Sequence, residues 1–266
     1  MKKKNWQHWM SRWQQHTTLV RCASGLAVVL GVGVGLAQLH PAKADNTIDP
    51  KLRQQVLQII RENPEVILES VQNYQAQRDQ RQKQAQEGIL SQIQTNPKAA
   101  IGQSPTKGAV NGKVVLFEFS DFQCPYCGKA EGTIKQFLAK YGDQVTFVYK
   151  HFPLTAIHPE ALPAAKAAWA AGQQGKFWQF HDALFANQGQ LGDPLYRSIA
   201  QNLKLDLQRF NRDRASAAAQ AAIEQDIQLA EQIGVDATPF FVMNGVPFAG
   251  AVDLSEMEKM LKQVQK

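Results

Sequence analysis

The chain has 266 residues and a formal net charge of +6. Six of its 29 Lys and Arg side chains lie within residues 1–44, which contain no Asp or Glu, so the remainder carries 23 basic and 23 acidic side chains. A formally neutral body offers no electrostatic footprint for a polyanion, which excludes nucleic acid as a partner.

Residues 1–44 are typical of an export signal. Basic side chains precede an uncharged, apolar stretch at residues 22–40, and the small residues Ala42 and Ala44 form the A-x-A pattern that signal peptidase accepts, with Asp45 as the expected mature start. The apolar run approaches the ~20 residues of a spanning helix, so an uncleaved membrane anchor is the alternative. Either way, we expect the rest of the chain to be periplasmic or otherwise extracytoplasmic, in an oxidising compartment.

Residues 45–104 form a Gln-rich extension with a helical pattern. Asp49 and Asn63 each precede a proline, which is typical of a helix start, and apolar residues follow both starts at helical spacing. Apolar residues then nearly vanish across residues 75–87. Because no sustained heptad is present, two interpretations stay open: a solvated helix or tether, and a segment that pairs with copies of itself.

From residue 105 to residue 266 the pattern changes to strands and helices. Residues 114–119 indicate a largely buried strand, the segment after Cys124 indicates a helix to about residue 141, and residues 145–149 indicate the next strand. A strand, a helix and a second strand in this order predict a parallel beta-alpha-beta unit.

The second half of this region predicts a helical insertion and a closing hairpin. Residues 159–233 are almost wholly helical in pattern and too long for a crossover, so they indicate a helical subdomain beside the sheet. Two short apolar runs separated by Asn244 and Gly245 predict a hairpin. Asp253 is the expected cap of a last helix.

The sequence Cys124-Pro125-Tyr126-Cys127 stands where the first strand gives way to the helix. The amino end of a helix stabilises a thiolate, and a second thiol one turn further on can resolve a mixed disulfide, so this pattern favours thiol-disulfide exchange. A structural zinc site needs further ligands, and the remaining cysteine, Cys22, lies in the predicted signal. A structural disulfide across so short a loop removes little unfolded-chain entropy. We therefore expect no metal and no cofactor.

The order of these elements, with Thr238-Pro239 ahead of the hairpin, resembles the thioredoxin superfamily. The helical insertion, at about residues 155–234, narrows the resemblance to the exported DsbA-like oxidoreductases, including BdbD-, Com1- and ScsC-like members, to which the segments around His151 and His158 are also similar. The resemblance covers residues 105–266. It implies an α/β fold: a thioredoxin fold with a helical insertion subdomain, preceded by the helical extension.

The resemblance also implies roles for the residues of the CPYC motif. Cys124 would be the exposed nucleophile and Cys127 the buried resolving thiol. Pro125 and Tyr126 would tune the redox poise by deciding how many donors reach the Cys124 thiolate. A more stable thiolate makes such a protein more oxidising.

Further site residues follow from the same resemblance. Pro239 would be a cis proline that exposes the backbone of Thr238 to an extended substrate segment, with a trans proline as the alternative. Glu118 would move protons to and from the resolving cysteine, unless strand alternation turns it outward. Phe122 and Phe240 would rim an apolar surface for unfolded chains.

The function implied is that of an exported oxidase. It would donate its disulfide to reduced or unfolded exported proteins and be recharged by a membrane partner of the DsbB or VKOR type. One alternative is a disulfide isomerase or reductase of the DsbG or ScsC type, acting as a homo-oligomer through residues 45–104. Another is a non-catalytic, chaperone-like binding module, against which the intact thiol pair argues.

Overall fold

The structure, a computed structural model, describes residues 49–265. The predicted export signal, its cleavage before Asp45 and the alternative anchor lie outside the described residues. None of the helices in residues 49–265 is both long enough and apolar enough to cross a membrane.

Three helices occupy the amino-terminal part of the described chain: α1 (Pro50–Glu62), α2 (Pro64–Thr95) and α3 (Pro97–Ile101). The predicted starts of α1 and α2 are confirmed, because proline fixes φ and has no N–H to leave unpaired in a first turn. The boundary between two units falls within α1, after Gln58: residues 49–58 are the described part of the first unit, and their apolar side chains Leu52, Val56 and Leu57 are exposed. The second unit comprises residues 59–265.

A five-stranded sheet forms the centre of the second unit. Its order is β1-β3-β2-β4-β5, with β2 and β3 parallel and the other pairs antiparallel. The strands are β1 (Thr106–Gly108), β2 (Val114–Ser120), β3 (Val145–His151), β4 (Phe240–Met243) and β5 (Val246–Ala249). Every residue of β2 and β3 is buried, because helices cover both faces of the sheet. Helix α4 (Pro125–Tyr141) connects β2 to β3 as predicted.

The helical insertion lies between β3 and β4. It comprises α5 (Ala161–Gly172), α6 (Phe177–Ala186), a 3-10 helix (Gln188–Gln190), α7 (Asp193–Asn202), α8 (Leu207–Arg214) and α9 (Ala217–Gln232). Seven alanines of α5 are buried, which lets the neighbouring helices approach closely, and aromatic side chains such as Phe180 and Phe210 fill the space between them. The insertion therefore has a core of its own beside the sheet.

The closing hairpin and the last helix agree with the sequence. Asn244 and Gly245 have positive φ values of 46° and 81°. A two-residue hairpin turn of type I′, whose twist matches that of its strands, requires positive φ at both central residues. Helix α10 (Leu254–Val264) begins with a capping box, in which the Asp253 side chain accepts from the Glu256 N–H and the Glu256 side chain accepts from the Asp253 N–H.

The last turns of α2 belong to the core of the second unit. Ile93 is buried, and Ile89 and Leu90 pack against the same apolar cluster, which the sheet and α9 complete. Gly245 permits this approach, because a Cβ there would lie 2.7 Å from the Leu90 carbonyl oxygen. The packed unit thus extends upstream of residue 105, the boundary suggested by the sequence, because apolar residues return on α2 after its polar middle.

Candidate active site

The two cysteines lie at the amino end of α4. Cys124 is the extended residue before the helix, and Pro125 occupies the first helical position. The turn is closed by two backbone bonds: the Cys124 N–H donates to the Asp121 carbonyl at 3.1 Å, and the Gly128 N–H donates to the Cys124 carbonyl at 3.1 Å. Both cysteines are free thiols. This turn places one sulfur at the helix end and the other one turn deeper.

The Cys124 thiol lies among groups that favour its thiolate. The hydrogen bond from Cys127 lowers the pKa of Cys124 most, with help from Thr238 and from the backbone N–H groups of Cys127 and Tyr126, and these outweigh burial and bring the pKa to about 5. In the thiol form its sulfur donates to the Thr238 carbonyl at 3.4 Å. A thiol with this pKa is a thiolate at neutral pH, which makes it both a nucleophile and a good leaving group.

The Cys127 thiol has the opposite environment. It is fully buried, and its sulfur accepts from the Asp121 N–H at 3.5 Å. Burial raises the pKa of Cys127 far above its usual range, and the neighbouring Cys124 and Glu118 raise it further. Cys127 therefore needs a proton as soon as it is released from a disulfide, whereas Cys124 does not.

The exposure predicted for Cys124 is wrong. Only 3% of Cys124 is exposed, because the segment that carries Thr238 and Pro239 covers its sulfur. The neighbouring Tyr126, by contrast, is 64% exposed. The Thr238–Pro239 peptide bond is cis, so the trans alternative is wrong as well.

Glu118 points inward. It is 1% exposed and lies in β2 between Tyr149 of β3 and Phe241 of β4. Burial raises the pKa of Glu118 to about 8, and the nearby Glu131 of α4 contributes to this shift. The outward orientation considered for Glu118 is therefore wrong. A carboxyl group with a pKa near neutrality, close enough to raise the pKa of Cys127, can accept and return a proton there.

The prediction that Phe122 rims an exposed apolar surface is wrong. Phe122 is 1% exposed and packs in the core of the insertion, stacked on Tyr149 with ring centroids 5.3 Å apart. The side chain is buried because it packs against aromatic rings of the insertion. Phe240 is partly buried and contacts Phe119 edge to face. A substrate-binding role for Phe240 and for Thr238 stays a prediction.

We call residues 121–128, which carry the two cysteines, the redox turn. Asp121 joins this turn to the chain segment that follows β3. Its carboxylate accepts from the Gln123 N–H at 2.8 Å, from the Leu154 N–H at 3.0 Å and from His158 Nδ1 at 2.7 Å. The bond to the Gln123 N–H caps the turn ahead of the cysteines. No local pattern predicts the pairing with His158, because this histidine lies 37 positions further along the chain.

A second contact that the sequence did not reveal is made by Gln188. Its amide nitrogen donates to the carbonyls of Phe122 and Cys124, each at 2.8 Å. Because Gln188 lies in the insertion, more than 60 residues after the motif, no spacing rule relates the two. The insertion thus holds the redox turn directly.

Glu131, His181 and Asp182 form a cluster near α4 that could in principle offer metal ligands. The Lys135 ammonium lies 3.0 Å from a Glu131 oxygen and 3.9 Å from an Asp182 oxygen, so the positive charge at this cluster is already supplied by a side chain. His151 is also buried among aromatic rings, and burial lowers its pKa to about 4. These groups support the fold around the site.

Comparison with known proteins places these features in context. A profile of the family described as Thioredoxin matches residues 100–263. The Na(+)/H(+) antiporter NhaA 1 of Salinispora arenicola is 38% identical over 151 residues, which cover 57% of this chain and 23% of the antiporter. NhaA 1 of Mycolicibacterium vanbaalenii is 35% identical over 159 residues, 59% of this chain and 26% of that protein. The chain therefore spans about a quarter of the length of these curated relatives.

Solved structures share the fold. A thioredoxin-like oxidoreductase from Silicibacter pomeroyi is 30% identical, with a TM-score of 0.59, and the match covers 64% of this chain and 98% of that one. The thiol-disulfide exchange protein alpha-DsbA2 of Wolbachia pipientis is 24% identical with a TM-score of 0.59, covering 67% of this chain and 97% of its own. Proteus mirabilis ScsC in a compact conformation is 20% identical with a TM-score of 0.58, covering 82% and 98%.

Proposed function

Since the chain belongs to the thioredoxin family, we propose that it is an exported thiol-disulfide oxidoreductase that forms disulfides in translocated proteins. The observation that carries this proposal is the opposite tuning of the two thiols: the pKa of Cys124 is lowered to about 5, whereas burial raises that of Cys127. Such a pair favours the reduced form with an ionised Cys124, which makes its disulfide a strong oxidant. Export rests on the pattern of residues 1–44.

The proposed reaction begins with a disulfide between Cys124 and Cys127. A substrate thiolate attacks the Cys124 sulfur, the Cys124–Cys127 bond breaks, and Cys127 leaves with the electron pair and takes a proton from Glu118. A second substrate thiolate then attacks the substrate sulfur of the mixed disulfide. Cys124 leaves as a thiolate, so two electrons pass from the substrate to the pair. A membrane partner of the DsbB or VKOR type would remove these electrons.

The test of the oxidase proposal is the reduction potential of the full chain in glutathione buffers. We expect a value near about −120 mV, the range of strongly oxidising pairs, together with rapid oxidation of a reduced, unfolded protein. A value near about −270 mV would contradict the oxidase role and indicate a reductase that needs an electron supply. The same protein with all three of its cysteines alkylated is the matched control for the oxidation assay.

A disulfide isomerase acting as an oligomer is the second candidate, and the first half of α2 favours it. Five large apolar side chains of this half are at least 43% exposed in the described unit: Val66, Ile67, Leu68, Val71 and Tyr74. Three of them, Ile67, Val71 and Tyr74, recur at helical spacing and form an exposed apolar stripe, which is typical of a helix that binds a partner. The occupant we propose is a second copy of the same helix, which would bring several redox turns to one misfolded substrate.

If the chain is an isomerase of this kind, it should elute as an oligomer, and the double substitution Ile67→Asn with Val71→Asn should shift it to a monomer. These two side chains are one helical turn apart, so both lie on the same face of α2. Light scattering measures the mass of each species. The control is Gln80→Asn with Gln84→Asn, a pair of exposed polar residues of α2 at the same spacing. A monomeric wild type would remove the basis of the isomerase alternative.

A further inference from the structure

The redox turn is held from outside as well as from within. Inside the turn, the Asp121 carboxylate and carbonyl fix the N–H groups of Gln123 and Cys124. From outside, the backbone N–H of Glu160 donates to the Gln123 side-chain oxygen at 2.7 Å, and the Gln188 amide donates to two carbonyls of the turn. The chain after β3 thus forms hydrogen bonds to the Gln123 side chain and to the carbonyls of the residues before and after Gln123.

The two bonds from Gln188 use one NH2 group completely. An amide nitrogen carries two N–H donors, and here one faces the Phe122 carbonyl and the other the Cys124 carbonyl, each at 2.8 Å. The Cys124 carbonyl also accepts from the Gly128 N–H, so both of its lone pairs are engaged. The peptide planes before Gln123 and after Cys124 are therefore fixed, and with them the direction in which the Cys124 side chain leaves the backbone.

We infer that Gln188 is a positioning residue for thiol exchange: it holds the redox turn so that the Cys124 sulfur stays aligned with the amino end of α4. The inference rests on the proposed function and adds the means by which the helical insertion controls it. Gln188 should also stabilise the Cys124 thiolate electrostatically. The donors on the Cys124 carbonyl offset the partial negative charge of that oxygen, which lies in the same residue as the thiolate.

Gly128 provides an independent observation on the same contact. A Cβ at Gly128 would meet the amide oxygen and carbon of Gln188, so only glycine leaves room for this amide at the start of α4. Glycine inside a helix is otherwise unfavourable compared with alanine. Gly128→Ala should therefore displace the Gln188 side chain while it favours the helix itself. This substitution therefore distinguishes an effect on the position of the redox turn from an effect on the stability of the fold.

The experiment compares Gln188→Ala, Gln188→Glu and Gly128→Ala in the full chain. Gln188→Glu keeps the size of the side chain but, when ionised, offers no donor to the two carbonyls. The control is Gln190→Ala, in the same 3-10 helix with an exposed side chain. The readouts are the pH midpoint of Cys124 alkylation, the reduction potential in glutathione buffers, and thermal unfolding.

We expect all three variants to move the alkylation midpoint upward by about one pH unit, a tenfold loss of thiolate stabilisation, and to lower the reduction potential by about 30 mV. Gly128→Ala should do so without a fall in melting temperature, which a merely structural role for the contact would not produce. Gln190→Ala should match the wild type. Wild-type midpoints and potentials in the three variants would overturn the inference while the proposed function stands. A wild-type chain without thiol exchange would overturn both.

Discussion

Cys127→Ser is expected to turn the protein into a trap for its substrates. The serine hydroxyl can replace the Cys127 thiol as a hydrogen-bond donor to Cys124, and the Thr238 and backbone donors stay in place, so the Cys124 thiolate can still attack a substrate disulfide. The thiol that would release the product is gone. Mixed disulfides should accumulate through Cys124, and turnover should fall at least about a thousandfold, which corresponds to about 4 kcal/mol of activation free energy. Cys124→Ser should lose turnover equally and trap nothing.

Non-reducing electrophoresis with a disulfide-containing polypeptide would show these adducts. All variants should carry Cys22→Ser, so that the third cysteine of the full chain contributes no adducts. In that background, adduct formation by Cys127→Ser should be constant above the pKa of Cys124 and fall about tenfold per pH unit below it, because only the thiolate attacks. That pKa should still lie below the ordinary cysteine value, since the donors other than Cys127 stay in place. Full activity of Cys124→Ser would contradict the redox mechanism and support the non-catalytic binding module.

Glu118→Gln is expected to stabilise the fold at neutral pH and to slow the chemistry. The pKa of Glu118 is raised from 4.5 to about 8, so the folded protein keeps a proton that the unfolded chain releases between these pH values. The contribution of Glu118 to the free energy of unfolding is complete below pH 4.5 and is lost as pH rises to about 8, by about 1.4 kcal/mol per unit. The variant should therefore be more stable than the wild type by about 3 kcal/mol at pH 7, and equal to it at about pH 4.

The same variant should resolve mixed disulfides about 100-fold more slowly, because the Cys127 sulfur loses the group that exchanges its proton. Denaturant unfolding at about pH 4 and pH 7 gives the stability, and stopped-flow mixing gives the rate of resolution. Glu224→Gln, an exposed carboxylate of α9, is the matched control for both measurements. A gain in stability with an unchanged rate would assign Glu118 to the core alone and reject the proton role.

The features that local sequence could predict were those with local causes. Proline after Asp49 and Asn63 marks two helix starts, Asn244 with Gly245 marks a hairpin turn, and Asp253 caps α10. The CPYC turn at the start of α4 belongs to the same group. In each case the residue itself supplies the backbone conformation or the hydrogen bond, so the rest of the fold is not needed to interpret it.

The remaining features depend on contacts that are distant in sequence. Alternation could not decide the orientation of Glu118, because both faces of β2 are buried. Phe122 enters the core of an insertion that begins almost 40 residues later, and Cys124 is covered by a segment 114 residues away. Gln188 stands among polar residues with no pattern that connects it to the redox turn. Only the packing of the insertion against the sheet brings these groups together.

Helix α2 runs for 32 residues without a break, about 48 Å, from an exposed apolar end to an end that is packed in the core. A continuous helix transmits direction as well as distance. If its exposed apolar end binds a second copy, the distance between the two redox turns is set by the length of a rigid helix and not by a flexible loop. Compact proteins would then engage one turn at a time. An unfolded polypeptide long enough to span the distance between two redox turns could bind both. The length of α2 would therefore favour extended substrates over compact ones.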